Sequence, residues 1–418
     1  MLKLLNKKKF KINLSWLLFD KLFRASANIF LTVFLARHLG PDNFGILNYL
    51  LAILFLFVSI SSLGVNPVLV NEIVKKRRNS MPSLINSYYL RFLISLISYF
   101  LFLLIIYTLN NNIIYHNYSL ILGVIIILKS CEVLFSFFEA KSFSKYIVIS
   151  QSVGFFISAS MILFIVINAI DNIYIYYALV LDLVIVFILI NVFYFINFKN
   201  HFYKFNFIII KRLISKSLPV LISTLSILLY MRIDQIMIKE MLNEYQLGIY
   251  SVSVRYIEIF HFIPKIIMIS ILPVILTSRN YYVKLLGINS VMNKISLILI
   301  IFIFLSSDIV IPLIFSDTYI ESINITKILS FSIFFVFLGV VNEHWYVTKN
   351  LQKFYALYVS FGALLNIILN YILISNFGLK GAAYATVFTY LIIIFFLDYF
   401  NKHTREVLKI KMLSMLKI

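Results

Sequence analysis

The sequence predicts an all-α polytopic membrane protein of about twelve spanning helices, arranged as two six-helix lobes. Three observations predict it. Of its 418 residues, 62% are apolar and 13% charged, and mean hydropathy is +0.97. A soluble domain carries roughly a quarter charged residues, so these charges are too few to coat a water-exposed globule. Apolar runs long enough to cross a bilayer, which needs about 20 residues per helix, recur along the whole chain. Basic residues also alternate from one short connection to the next.

The runs cover approximately 14–36, 44–66, 84–107, 117–138, 147–169, 173–196, 213–238, 247–275, 288–314, 324–346, 355–375 and 380–400. The first follows a basic start, Met1 to Lys11, carries charges of its own and lacks a small-residue cleavage site, so it reads as a retained helix rather than a signal peptide. The longest connection, around 198–212, divides the chain into a first lobe, 1–200, and a second, 201–418. The single cysteine, Cys131, lies in an apolar run and permits no intrachain disulfide.

Orientation follows from the bias of Lys and Arg toward cytoplasmic loops. One set of connections carries Lys7, Lys8, Lys9 and Lys11, Lys75 to Arg78, Lys141 and Lys145, and Lys199, Lys204, Lys211 and Arg212. It continues with Arg279 and Lys284, Lys349 and Lys353, then Lys402, Arg405, Lys409 and Lys411. With Lys3, Lys216 and Lys417 the first set comes to about 25, against 4 in the opposite set, Arg37, Lys239, Lys327 and Lys380. Both termini are therefore expected in the cytoplasm. The net charge of +20 is then a topology signal with some attraction to anionic headgroups, and not a nucleic-acid footprint. Tyr115, Tyr118, Tyr174, Tyr176, Tyr177, Tyr245 and Tyr319 crowd the outer ends, and Trp16 and Trp345 the inner ends, as an interfacial belt would.

An internal echo links the halves. Asn43-Phe44-Gly45-Ile46 follows the first span and Gln246-Leu247-Gly248-Ile249 the seventh. Six spans separate the copies, as in parallel repeats with a substrate site at the repeat interface.

The ionisable residues inside spans point to function, because each costs at least ~2.5–3.5 kcal/mol at a helix centre and needs a partner or water. The first span carries Asp20, Lys21 and Arg24; the third Arg91; the fourth Lys129 and Glu132; the sixth Asp182. The seventh carries Arg232 and Asp234, and the eighth a stripe of Arg255, Glu258, His261 and Lys265. Asp308 belongs to the ninth, and Glu343 and His344 to the tenth. Two roles are open for these groups: lining a hydrated central cavity between spans 1, 7 and 8, or pairing internally to fix helix packing. Lys21 is near enough to the inner face to snorkel, and Glu343 and Asp398 are expected at the inner interface. Arg24 and Arg255 are too deep for that. Arginines facing a cavity suit a phosphate or diphosphate, which a guanidinium grips with two hydrogen bonds and a permanent charge. Asp234, Glu258, Asp182 and His261 are candidates for coupling to a proton or sodium ion; for His261 a packed, bonded histidine is the equal alternative. Pro219, Pro264, Pro273 and Pro312 permit bending of the helices that hold them.

Several chemistries are absent from the sequence. There is no phosphate-cradling Walker motif, no Cys/His set at zinc spacing and no Gly-x-Ser-x-Gly elbow. Outer loops are too short to house a polymerase or hydrolase site, so neither an enzyme nor a cofactor is expected.

The stretch Leu35-Ala36-Arg37-His38-Leu39-Gly40-Pro41-Asp42-Asn43-Phe44-Gly45 resembles the turn between the first two helices of the polysaccharide transporter family. These are the Wzx-type flippases of O-antigen and capsule pathways, in the MOP superfamily. Arg232-Ile233-Asp234-Gln235-Ile236-Met237-Ile238, Leu247-Gly248-Ile249-Tyr250-Ser251, Ile263-Pro264 and Leu272-Pro273 extend the likeness, as do Gly64, Pro67, Glu72 and Gly378-Leu379-Lys380-Gly381-Ala382-Ala383. The resemblance implies a MATE-like fold of two lobes forming a V around a cationic cavity. It implies an inner-membrane protein that turns undecaprenyl-diphosphate-linked oligosaccharide toward the periplasm, with glycan polymerase and chain-length proteins as partners. Arg24 and Arg255 would hold the diphosphate, with Arg232 and Arg91 as further candidates. The competing readings are a cation-coupled drug antiporter of the same superfamily and a lipid II flippase, which usually carries two further helices. From other classes come an intramembrane glycan polymerase or acyltransferase and a structural scaffold.

Overall fold

In hydrocarbon every backbone amide must find its partner inside the chain, so apolar runs of this length fold as helices. The computed structural model describes residues 2–75, 81–198, 205–276 and 280–416, without the side chains of residues 2–23, 25, 26, 269, 272–274 and 276. Expectations resting on Lys3, Lys7, Lys8, Lys9, Lys11, Trp16, Asp20, Lys21, Lys76, Arg77, Arg78, Lys199, Lys204, Leu272, Pro273, Arg279 and Lys417 lie outside these described groups. Among the described residues there is no strand.

The helices, in chain order, are α1 (Leu2–Ser62), α2 (Val65–Lys75), α3 (Met81–Leu109), α4 (Ile113–Ala140), α5 (Ser144–Ile167), α6 (Ile173–Asn197) and α7 (Phe207–Met241). They continue as α8 (Glu244–Glu258), α9 (Phe262–Leu276), α10 (Tyr281–Phe315), α11 (Ser322–Thr348), α12 (Gln352–Phe377), α13 (Leu379–Phe400) and α14 (Arg405–Met415). Among the described residues, ten helical stretches are long and apolar enough to cross a membrane. They match ten of the twelve segments expected from sequence; the other two, 14–36 and 247–275, are helical but contain undescribed side chains.

Local chemistry sets the breaks. α1 is two helices joined at Gly40, whose φ of 67° and ψ of 173° leave the helical region. A positive φ costs glycine nothing, and Pro41 then opens the second segment, where its missing N–H is no loss. A 3-10 turn, Lys129–Cys131, interrupts α4, and another, Ile259–His261, joins α8 to α9. Both fall beside ionisable residues. A π turn, Ile392–Phe396, lies inside α13.

Two compact units result: one comprises Met1–His38 and Leu50–Leu225, the other Leu39–Tyr49 and Ser226–Ile418. In the first unit α5 runs along α6, and α3 and α6 flank α4. Ser158 of α5 donates to the carbonyl of Ala178 at 2.8 Å. The core of this unit gathers Leu69, Leu84, Phe137, Phe138 and Ile190, with Phe137 edge-on to Tyr194 and Phe198. In the second unit α8 packs on the start of α11, α12 on α13, and α14 on α10. Leu338 and Ile394 centre its smaller cluster.

Outward positions are apolar: Phe100 is 66% exposed, Leu305 69% and Leu313 70%. Such a surface is stable only against lipid. The expected aromatic belt holds in part. Tyr174 and Tyr177 are exposed, whereas Tyr115, Tyr176, Tyr319 and Trp345 are enclosed by protein. Neighbouring helices pack closely enough to enclose those rings. Tyr319, in the turn Asp317–Tyr319, sits edge-on to Phe44. Burial, with Asp42 nearby, holds its hydroxyl above the ordinary tyrosine range.

The sequence echo becomes a contact inside the second unit. A Cβ on Gly45 would meet the carbonyl oxygen of Glu244 at 1.9 Å, and a Cβ on Gly248 that of Pro41 at 1.9 Å. Each glycine thus lies against the first turn of the other helix. The crossing is reciprocal, as a pair of repeats would make it.

Candidate functional site

The second unit collects most of the ionisable residues anticipated within spans. α7 supplies Arg232 and Asp234, and α8 with its 3-10 extension supplies Arg255, Glu258 and His261. Arg255 and Glu258 are three apart on one helix face, where side chains meet, and Arg255 Nη1 donates to Glu258 Oε2 at 3.0 Å. The other oxygen, Oε1, lies 3.6 Å from Arg232 Nη2. Arg255 Nη2 also reaches Asn48 Oδ1 at 3.4 Å. One carboxylate therefore serves two guanidinium groups, and the trio keeps a net positive charge. Its members are 13 to 28% exposed, so they are drawn inside without being sealed.

Asp234 is more enclosed, at 5% exposure. Its Oδ2 accepts from the Tyr250 hydroxyl at 2.6 Å and its Oδ1 from the Gln235 amide at 2.8 Å. Tyr250 also lies 3.3 Å from the Thr386 hydroxyl. A cleft lined by Tyr230, Asp234, Tyr250, Glu258, His261, Thr386 and Tyr390 has a volume of about 50 Å³. A water needs roughly 10–15 Å³ by this measure, so the cleft fits a few waters or an ion and no sugar. Nε2 of His261 is buried there without a hydrogen-bond partner among the described residues.

The first unit places its candidates differently. Arg24 Nη2 donates to Gln151 Oε1 at 3.1 Å, tying α1 to α5. Asp182 of α6 lies against Gly154 of α5, where an added Cβ would meet its Oδ1 at 2.6 Å. That oxygen is buried with no hydrogen-bond partner among the described residues, and Arg24 and Lys129 lie within coulombic range of it. Arg91 has a fully enclosed side chain. It donates to Asn66 Oδ1 at 3.0 Å and sits 3.6 Å from Glu132, which Lys129 contacts at 2.9 Å. That is the geometry of a brace between α2, α3 and α4, with no face open to a ligand.

The structure therefore brings Arg232, Arg255, Glu258, Asp234 and His261 into one neighbourhood, and Arg24 and Asp182 into another. Sequence reasoning missed Asn48, Gln151, Tyr250 and Thr386. A signal existed for Tyr250, which stands in the quoted Leu247–Ser251 motif: a buried tyrosine hydroxyl needs a partner. No metal-binding group of His, Cys, Asp and Glu occurs among the described residues.

The fold has counterparts among solved structures. The lipid II flippase MurJ in an inward closed conformation matches with a TM-score of 0.73 at 15% identity, covering 95% of this chain and 90% of that one. A multidrug resistance MATE family transporter of the MOP superfamily, inward-facing, matches with a TM-score of 0.68 at 13% identity, covering 93% and 95%. A MOP superfamily transporter from Pyrococcus furiosus, described as having a binding pocket of reversed polarity, matches at 0.56 and 13%, covering 94% and 93%. At such identities the likeness shows the fold, which is that of MOP superfamily transporters. No curated protein sequence matches the chain. The model of the polysaccharide biosynthesis protein family matches residues 11–279, well over half the chain, and the chain belongs to that family.

Proposed function

We propose that this protein is a flippase for lipid-linked oligosaccharide. It carries undecaprenyl-diphosphate-linked glycan units from the cytoplasmic to the periplasmic leaflet of the bacterial inner membrane by alternating access. The carrying observation is the trio Arg232–Glu258–Arg255, two permanent cations on one carboxylate within helices of a membrane protein. A surplus cation is expensive at membrane depth, and a diphosphate headgroup repays that cost by bidentate bonding. Family membership and fold support the same reading. A sugar head cannot cross hydrocarbon unaided, since each unsatisfied polar group costs several kcal/mol there.

In this scheme Arg255, Arg232 and Arg24 bind the headgroup. Glu258 bridges the two second-unit arginines and screens their repulsion until the diphosphate displaces it. The cleft of Asp234 and His261, too small for a sugar, takes the coupling ion, H⁺ or Na⁺, and Asp182 is the matching candidate in the first unit. Arg91, enclosed in its brace, is left out of the headgroup set.

The test is complementation of a flippase-deficient strain, read as surface glycan, with membrane insertion measured in parallel. The wild-type chain restores glycan. The double variant Arg24→Ala/Arg255→Ala inserts normally and restores none. Normal glycan from that variant would remove the arginines from the mechanism.

A further inference from the structure

Past the last spanning helix the chain makes four more residues of turn and then α14, an amphipathic helix held in a fixed roll. Val407, Ile410, Lys411 and Ser414, spaced three, one and three, form its buried face. Lys411 is fully enclosed and donates to the Asp398 carboxylate and to the carbonyl of Ile394. Ile394 lies in the π turn of α13, and such turns are often retained at functional sites. Asn293 of α10 donates to Ser414 Oγ at 3.1 Å, fixing the far end.

Because these contacts set the roll, the opposite face points outward. A cleft of about 450 Å³ opens there between Tyr399, Leu408, Met412 and Leu413, with Arg405 and Lys409 at its sides. This is the size of a small-molecule pocket, roughly 300–1,000 Å³. Arg405 is held at the rim of the cleft: Nε donates to the Tyr399 carbonyl at 2.9 Å and the guanidinium stacks over the Tyr399 ring at 5.5 Å. Neither of its terminal nitrogens has a protein partner among the described residues. The nearby carboxylate, Glu406, is turned away and paired with Lys349 at 3.2 Å. An apolar trough flanked by two cations with no acidic partner among the described residues, at the end of a spanning helix, matches one occupant: a lipid whose chain is apolar and whose head is anionic.

We propose that the trough between α13 and α14 is a binding site for an anionic phospholipid of the surrounding leaflet, with the acyl chain along Leu408, Met412 and Leu413 and the phosphate on Arg405 and Lys409. The site is separate from the headgroup-binding arginines and does not depend on the substrate assigned above. Bound there, the lipid would pin α14 to the membrane surface, as amphipathic helices with basic flanks are pinned.

The experiment uses the full chain, delipidated in detergent and offered equal amounts of phosphatidylglycerol and phosphatidylcholine, with bound lipid counted by native mass spectrometry. The wild type retains phosphatidylglycerol preferentially. Arg405→Gln/Lys409→Gln, both exposed, lowers its occupancy by roughly tenfold or more, given the contribution of each cation near a lipid surface, and leaves phosphatidylcholine unchanged, which separates lost charge from a displaced helix, since Arg405 also bonds the Tyr399 carbonyl. Leu413→Asn lowers both. Excess inorganic phosphate does not displace the lipid. Undiminished preference in the double variant overturns the proposal, as does full displacement by phosphate, which would mark a bare anion site. A dimer lost in the double variant would do the same, by giving the trough to a second copy.

Discussion

The reciprocal glycine crossing gives a sharp test, because the space available is known at both positions. Gly45→Ala would set a Cβ 1.9 Å from the carbonyl oxygen of Glu244, and contacts under 3.0 Å are essentially never seen. The two backbones must therefore part by about 1.1 Å, the difference between those distances. Overpacking of this kind costs about 1–3 kcal/mol, and a backbone obstacle that cannot rotate away puts it at the upper end. Alanine returns up to about 1 kcal/mol through its better helix propensity. The expected net destabilisation is about 2 kcal/mol. Gly248→Ala meets the Pro41 carbonyl at the same 1.9 Å and should cost as much. Both clashes lie at one crossing, so the first substitution opens room for the second, and the double variant should fall short of the sum by 1 kcal/mol or more, as coupled neighbours do. Gly287→Ala on α10, with nothing within 4 Å of its Cβ, is the control and should gain stability. Denaturant unfolding of the purified proteins in one detergent reads all four. If Gly45→Ala proved as stable as Gly287→Ala, the crossing would not be tight and the echo would have no structural meaning.

Two further outcomes follow from the buried charges. Glu258→Gln leaves Arg232 and Arg255 with a neutral acceptor between them; removing one partner of a buried pair costs about 3–5 kcal/mol, and the partial exposure of this trio places the loss near the lower figure. The same unfolding assay checks it, and wild-type stability would show that the arginines are neutralised elsewhere. Asp398→Asn strands Lys411, whose ammonium burial already holds below the ordinary lysine range while Asp398 pulls it back up. The single change should loosen α14 and expose it to limited proteolysis; Asp398→Leu/Lys411→Met should loosen it less, since no charge is left unpaired, but not restore wild type, because the Tyr346 hydroxyl and the Ile394 carbonyl lose their partners. Equal protease sensitivity of the single and double variants would sink this account.

The membrane fold was legible because its cause is local: a run of about 20 apolar residues has no alternative to a helix in lipid. The break at Gly40-Pro41 was legible for the same reason, being written in two residues. Charge pairing was only half legible. Arg255 and Glu258 announce each other by spacing, but nothing in the chain shows that Arg232, more than twenty residues earlier, shares that carboxylate. Tertiary packing also overrode the positional logic of single residues. Lys411 counts as a loop cation and Asp398 as an interfacial acid from sequence, yet both are enclosed and bonded to each other. Trp345 and Tyr176 were assigned to interfaces by depth alone and lie inside the protein. Depth along a span says where a residue sits in the bilayer and nothing about which way it faces.

The short piece Leu39–Tyr49 packs with the second unit although its neighbours in sequence belong to the first. Its contacts, Glu244, Gly248 and Arg255, are translated about two hundred residues after it. At synthesis rates of roughly 5–20 residues per second, that segment waits on the order of 10–40 s for its partners. A nascent chain halted anywhere before them would hold the Leu39–Tyr49 segment with its glycine and amide surfaces still uncovered, a form open to quality-control proteases.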